Sequence, residues 1–142
     1  MATVLDTLAA NLRTKLSLVS GLTPLPENVS MDDLPDSDKV FFAVEPGTYD
    51  ELDNEHGGGT LVGHLGEVFV RLAWMLDDDE EAHTDTRAID LQAIRGVVAK
   101  ASNWTAGIVL VTAAGDSSST EDTLNRVDLT YRVRYRVAQD LT

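Results

Sequence analysis

The stretch Val127-Asp128-Leu129-Thr130-Tyr131-Arg132-Val133-Arg134-Tyr135-Arg136-Val137 alternates without a break. Val127, Leu129, Tyr131, Val133, Tyr135 and Val137 take one set of positions. Asp128, Thr130, Arg132, Arg134 and Arg136 take the other, with Arg126 just before them. A period of two puts the two sets on opposite faces of a strand. One face is apolar and the other polar, the pattern of an antiparallel strand with its inner face on a core and its outer face on water or a partner.

The same reading extends outward along the chain. Thr60 to Met75 predicts a second long strand, in which Val68, Val70, Leu72 and Trp74 point one way and Phe69, Arg71, Ala73 and Met75 the other. Lys39 to Glu45, centred on Phe41-Phe42-Ala43-Val44, predicts a third, and Gly107 to Ala114 a fourth, buried one. Residues 3–20 carry Val4, Leu5, Leu8, Leu12, Leu16 and Val19 at spacings of three and four, the pattern of an amphipathic helix. Thr3 and Asp6 read as its capping box, with Gly21 and Pro24 as its stop. A second helix is expected at about 85–101, with Leu91, Ile94, Val97, Val98 and Ala101 toward the core. Gly96 within it suggests close packing on the sheet. The order helix, strand, strand, helix, strand, strand predicts an α+β fold: an antiparallel or mixed sheet of about four strands with both main helices on one side. Residues 21–37, 46–59 and 115–123 read as acidic connectors within a single domain spanning 1–142, the last two of them mobile in the free subunit.

Composition narrows the function. The chain has 142 residues, and 24 acidic against 11 basic ones give a net charge of −13, a field that repels a nucleic-acid backbone. No sequence-specific nucleic-acid contact is expected. The longest apolar runs, such as Ile108-Val109-Leu110-Val111, fall far short of a membrane span. The first residues lack a basic start and an apolar stretch, so no secretory leader is expected. There is no cysteine, which removes thiolate metal sites and thiol nucleophiles. His56, His64 and His83 show no metal-binding spacing. Gly57-Gly58-Gly59 lacks the Gly-Lys-Ser/Thr ending of a phosphate loop, and no serine sits in a nucleophile elbow. The run Asp77-Asp78-Asp79-Glu80-Glu81 lacks the glycine and final glutamate of an EF-hand loop and reads as a solvated charge run. The expectation is a non-enzyme that needs no metal and no cofactor.

The arginine row carries the interest. Arg132, Arg134 and Arg136 recur about 7 Å apart on one strand face, three of only eleven basic residues in the chain. Such a row repels itself unless carboxylates face it. Two readings follow: a solvated sheet face with acids on neighbouring strands, or a contact with an acidic segment of another subunit. The candidate acids are first Asp77, Asp78, Asp79 and Glu80, then Asp50, Glu51 and Asp53.

The segment Asp128-Leu129-Thr130-Tyr131-Arg132-Val133-Arg134-Tyr135 fits a final strand of the form acid-Leu-Thr-Tyr-x-x-x-Tyr. With the turn from Gly115 to Asn125, the central strand Gly66-Glu67-Val68-Phe69-Val70 and the segment Tyr49-Asp50-Glu51-Leu52-Asp53, the chain resembles the tail terminator proteins of long-tailed, lambda-type phages. The resemblance implies a mixed sheet flanked by helices and a virion structural protein without catalysis. It implies a ring, typically six-fold, that is assembled in the host cytoplasm and sits at the tail-neck junction. That ring caps the tail tube, ends its polymerisation and provides the surface for head-tail joining. The implied partners are the chain itself, the tail tube protein and the head-side connector protein. Neck and tail-completion proteins share this size and organisation. A small α+β binding module unrelated to phage is the reading from another class, and it would be a monomer with a ligand-sized apolar pocket.

Overall fold

The computed structural model describes residues 3–26, 40–52, 61–75, 80–121 and 124–138. Helix α1 spans Val4–Leu16 and is followed by strands β1 (Leu22–Pro24), β2 (Val40–Leu52) and β3 (Leu61–Met75). Helix α2 (Glu80–Ala99), a short 3-10 turn (Ala101–Asn103) and strands β4 (Ile108–Glu121) and β5 (Leu124–Ala138) complete the order. The strands form one five-stranded sheet in the order β1-β2-β3-β5-β4. β1 runs parallel to β2, and every other pairing is antiparallel.

Local chemistry explains α1. The Thr3 amide donates to Asp6 Oδ2 at 3.0 Å, and the Asp6 amide donates to Thr3 Oγ1 at 3.1 Å. This reciprocal box satisfies amides that the first turn leaves without helical partners. The Thr3 amide, and after it the Thr3 side chain, holds the Asp6 carboxyl below its ordinary value. The cap's contribution is therefore complete above that ordinary value and fades as pH falls through the lower folded one. Leu5, Leu8, Leu12 and Leu16 line the buried face at the predicted spacing. Regular helix stops at Leu16, and Gly21, at φ +92°, turns the chain into β1.

The core lies between the helices and one face of the sheet. Leu8, Leu12 and Leu16 from α1 and Ile94 and Val98 from α2 share it with Phe42, Val68, Val70, Leu72, Leu129, Tyr131, Val133 and Tyr135. The register puts these strand residues on one face. Phe42 pairs with Leu72, Val68 with Tyr131, Val70 with Leu129, and Gly66 with Val133. The predicted inner face of the last strand is the buried face of β5 from Leu129 to Tyr135, whereas Val127 is half-buried and Val137, near the strand end, is exposed.

All three expected connectors differ from the sequence expectations, each for a physical reason. The 21–37 connector contains β1, a three-residue strand ending in proline. It is too short to show alternation, and its place at the sheet edge tolerates a residue with no amide to donate. The 46–59 connector gives way to β2 as far as Leu52, because a register shift between Pro46 and Asp50 lets the strand pass a proline. Gly47 makes this possible: a Cβ there would lie 3.1 Å from the Cβ of Glu67 and from the Phe69 ring. The 115–123 connector is strand as far as Glu121. Ser117, Ser118 and Ser119 pair with Asp128, Val127 and Arg126, so β5 imposes a ladder on a sequence with turn composition. Asp50–Leu52 and Gly115–Glu121 of these connectors thus have paired strand backbone, while 53–60 and 122–123 fall outside the described residues.

Helix α2 begins at Glu80 rather than near residue 85. Its last carbonyls are met by side chains. Asn103 Nδ2 donates to the Val97 carbonyl at 2.9 Å, and Trp104 Nε1 to the Val98 carbonyl at 2.7 Å. Ala101, expected in the core, is exposed in the 3-10 turn.

Two glycines give opposite expectations. At Gly66 a Cβ would sit 2.7 Å from Leu5 Cδ1 and 3.3 Å from the Tyr135 ring, so Gly66→Ala should cost about 1–3 kcal/mol. Gly96, expected against the sheet, is exposed, and a Cβ there would meet nothing within 4 Å. Gly96→Ala should therefore stabilise the helix by about 1 kcal/mol. Urea denaturation of both variants checks the pair. Equal effects of one sign would contradict the packing described here.

Candidate assembly surface

The helices cover one face of the sheet, and the polar positions of β5 build the other. Along that outer face the cross-strand rows are legible from the register. Arg132 stands between Glu67 on β3 and Thr112 on β4. Arg134 stands between Leu65 and Leu110, and Arg136 stands opposite Gly63. Farther along, Thr130 stands opposite Phe69 and Asp128 opposite Arg71. Arg132 and Arg136 are exposed, whereas Arg134 is half-buried and already engaged within the subunit.

The strip is thus neither wholly unaccompanied nor wholly neutralised. Glu67 sits directly across from Arg132, at the separation where opposite charges attract. The Arg71 end of the face pairs more fully. Arg71 Nε lies 3.4 Å from Glu45 Oε2, and its guanidinium stands 5.5 Å from the centre of the Phe69 ring. Both partners of that ion pair are at least a third exposed, so the pair adds little to stability. The basic character of the face is concentrated toward the Arg132–Arg136 end of β5.

The expected acidic counterparts divide by position. Asp77, Asp78, Asp79 and Asp53 lie outside the described residues. Glu80 opens α2. Asp50 and Glu51 are strand residues of β2 rather than loop residues. Asp50 pairs with Gly66 and Glu51 with Leu65, so Glu51 shares a cross-strand row with Arg134 of its own subunit. The bulge that extends β2 past Pro46 creates this row, and no local pattern in the sequence announces it.

Elsewhere among the described residues, polar groups contact one another within the subunit. His64 stacks on Tyr135 with ring centroids 5.2 Å apart and an interplanar angle of 15°. Arg95 of α2 donates to Asp116 Oδ2 of β4 at 3.1 Å. Beneath that pair is a cavity of about 210 Å³, lined by Arg95, Ala113, Gly115, Asp116, Leu129, Thr130 and Tyr131. It is smaller than the roughly 300–1,000 Å³ of ordinary ligand sites. Burial, the main influence on the Tyr131 hydroxyl, raises its pKa, which keeps it a neutral group in the wall. Among the described residues, no three histidine, aspartate or glutamate side chains converge as metal ligands, and no helix is long and apolar enough to cross a membrane.

Sequence features missed the exposed apolar pair on β4. Ile108 pairs with Tyr135 and Leu110 with Arg134, so Val109 is an extra residue in a bulge. Val109 and Leu110 are 40% and 43% exposed. Their continuous apolar run predicts burial for both, and the bulge is what turns them outward.

No protein-family profile matches the chain, and no curated protein matches it. A solved structure does: a chain from the "virion of native gene transfer agent (GTA) particle", with a TM-score of 0.59 and 14% sequence identity, covering 92% of this chain and 92% of that one. The chain is similar in fold, over nearly its whole length, to a component of that virion.

Proposed function

We propose that this chain is a virion structural protein of the phage-tail type, which closes into a ring on the end of a tail tube, ends the tube's growth and presents a surface for head-side joining. The observation that carries the reading is the fold similarity, over 92% of both chains, to a gene transfer agent virion component. The final strand, Asp128 to Tyr135, supports it through its resemblance to tail terminators. The outer sheet face supports it physically. A heterologous contact repeated about an axis closes a ring, and a basic strip on an acidic chain fixes the orientation of that contact and disfavours others. In this reading Arg132, Arg134 and Arg136 lie at or near the subunit contact. Asp77, Asp78, Asp79 and Glu80 of the neighbour are their first acidic partners, since Glu51 already shares Arg134's row within the subunit.

Sedimentation of the purified chain across a concentration series tests the proposal. A discrete closed oligomer, six-fold in the simplest case, is the expected species. A chain that stays monomeric at every concentration, alone and with its tube protein, would instead be a small binding module.

A further inference from the structure

A sheet edge is a row of amides and carbonyls without strand partners, and a fold either guards it or pairs it. The two edges here are β1 and β4. β1 is closed by its own chemistry. The Leu25 amide donates to the Phe42 carbonyl, so alternation along the strand turns Thr23 toward β2 as well, and Leu22 and Pro24 outward. The Leu22 amide is already given to the Val19 carbonyl at 3.3 Å, and proline has no amide to give. The second half of β4 has no such guard. The register of β4 shifts between Ile108 and Leu110 and between Ala113 and Gly115, and from Gly115 to Glu121 it pairs with β5 without a break. That stretch holds no lysine and no proline, and residues 112–119 are all exposed. Its one central charge, Asp116, is held by Arg95 of the same subunit at 3.1 Å.

We infer that the Gly115–Glu121 half of β4 is a pairing edge, and that its occupant is the same stretch of a second copy of this chain, antiparallel about a two-fold axis at Ser118. The topology selects that occupant. β2, β3 and β5 each have a neighbour on both sides, and β1 has no outward amide to give, so among the described strands only β4 can add to the β4 of another copy. An axis at Ser118 lies at the centre of the unbroken run. It sets Ser118 opposite Ser118, Ser117 opposite Ser119 and Asp116 opposite Thr120, so acidic positions do not face each other. Hydroxyl side chains opposite one another favour a strand pair. A foreign strand takes its specificity from pockets for alternate side chains, which a row of exposed serines does not supply. Charge points the same way, because two copies of a chain with net charge −13 approach most easily where the surface carries least charge. The contact is isologous, separate from the head-to-tail contact of the ring, and lies farther along β4 than Thr112, the neighbour of Arg132. It goes beyond the ring reading and does not depend on it.

The absence of cysteine makes the test direct. Ser118→Cys and, as a control, Leu18→Cys at the 77% exposed Leu18 each carry one thiol and are oxidised mildly at equal concentration. Directly opposed residues of antiparallel strands have Cα atoms about 4.5–5.5 Å apart, within reach of a disulfide. Ser118→Cys should therefore cross-link at least about tenfold faster than Leu18→Cys. Ser117→Cys should link to Ser119→Cys in a mixture faster than to itself, since diagonal neighbours stand about 7–8 Å apart. Ser118→Lys sets two ammonium groups against each other on the axis and should weaken the dimer seen in sedimentation by about tenfold or more, with the subunit still folded by circular dichroism. Equal cross-linking at positions 118 and 18, or a folded Ser118→Lys variant that dimerises like the parent, would overturn the pairing and leave the ring reading intact. Protection of the 115–121 amides from hydrogen exchange that appears only when tube protein is added would overturn the choice of a second copy. A Ser118-linked dimer in a chain that never forms rings would uphold the pairing and sink the ring.

Discussion

Phe42→Ala lowers the stability of the subunit by about 3–5 kcal/mol, the cost of removing an aromatic side chain from a packed core. Phe42 has no solvent exposure. It pairs with Leu72 on β3 and shares the core with the leucines of α1. Its carbonyl also accepts the Leu25 amide at 2.8 Å, which continues the β1 pairing one residue beyond the strand. The side chain therefore stands where the edge of the sheet and α1 meet. A domain of this size holds about 5–15 kcal/mol in all, so the variant loses a large share of it. The denaturation midpoint in urea should fall while the slope stays the same, as expected for a change of stability without a change of surface exposed. Leu18→Ala at an exposed position is the control and should stay within about 0.5 kcal/mol. A Phe42→Ala loss below about 1 kcal/mol would contradict the packing of α1 on β2.

Reversing the basic strip should weaken the proposed assembly at least about tenfold while leaving the subunit folded. The variant to use is Arg132→Glu with Arg136→Glu, since both side chains are exposed. Arg134→Glu alone is less clean, because Arg134 is half-buried and engaged within its own subunit. The double reversal turns two attractions at the proposed contact into two repulsions. It also puts a carboxylate at position 132, directly across from Glu67, where like charges destabilise a strand pair by up to about 1 kcal/mol. That local cost is small beside the expected loss of association, tenfold or more and so at least about 1.4 kcal/mol per contact. Parent assembly should weaken as salt rises, because screening shortens from about 8 Å at physiological ionic strength to about 3 Å at 1 M. Sedimentation at low and high salt, with circular dichroism to verify folding, reads both effects. A folded double variant that assembles like the parent at both salts would make the arginines a solvated sheet face.

Periodic segments carried most of the fold in the sequence. The alternation gave the correct inner face for β5 from Leu129 to Tyr135, where one side of the strand is buried and the other is not, but not at Val137, which is exposed. The leucine spacing of α1 worked for the same reason, and Thr3 with Asp6 announced its cap. What the sequence hid is pairing imposed by distant strands. Leu22-Thr23-Pro24 becomes a strand only because β2 offers an edge, and Ser117-Ser118-Ser119 only because β5 lies alongside. Gly96 misled in the other direction, since a helical glycine signals close packing only where something lies near, and nothing does. For the assembly surface, the arginine row was visible as a pattern. Its neighbours Glu67, Leu65, Leu110 and Glu51 are set by register, which two bulges shift and which no window of sequence encodes.

Growth of tail tubes in the presence of this chain tests the central claim most directly. Tube protein polymerising with increasing amounts of the chain should give shorter tubes, each ending in a ring-shaped density of this subunit in electron micrographs. Tubes that lengthen at the same rate with or without the chain, and that carry no density of it at either end, would contradict the proposed role.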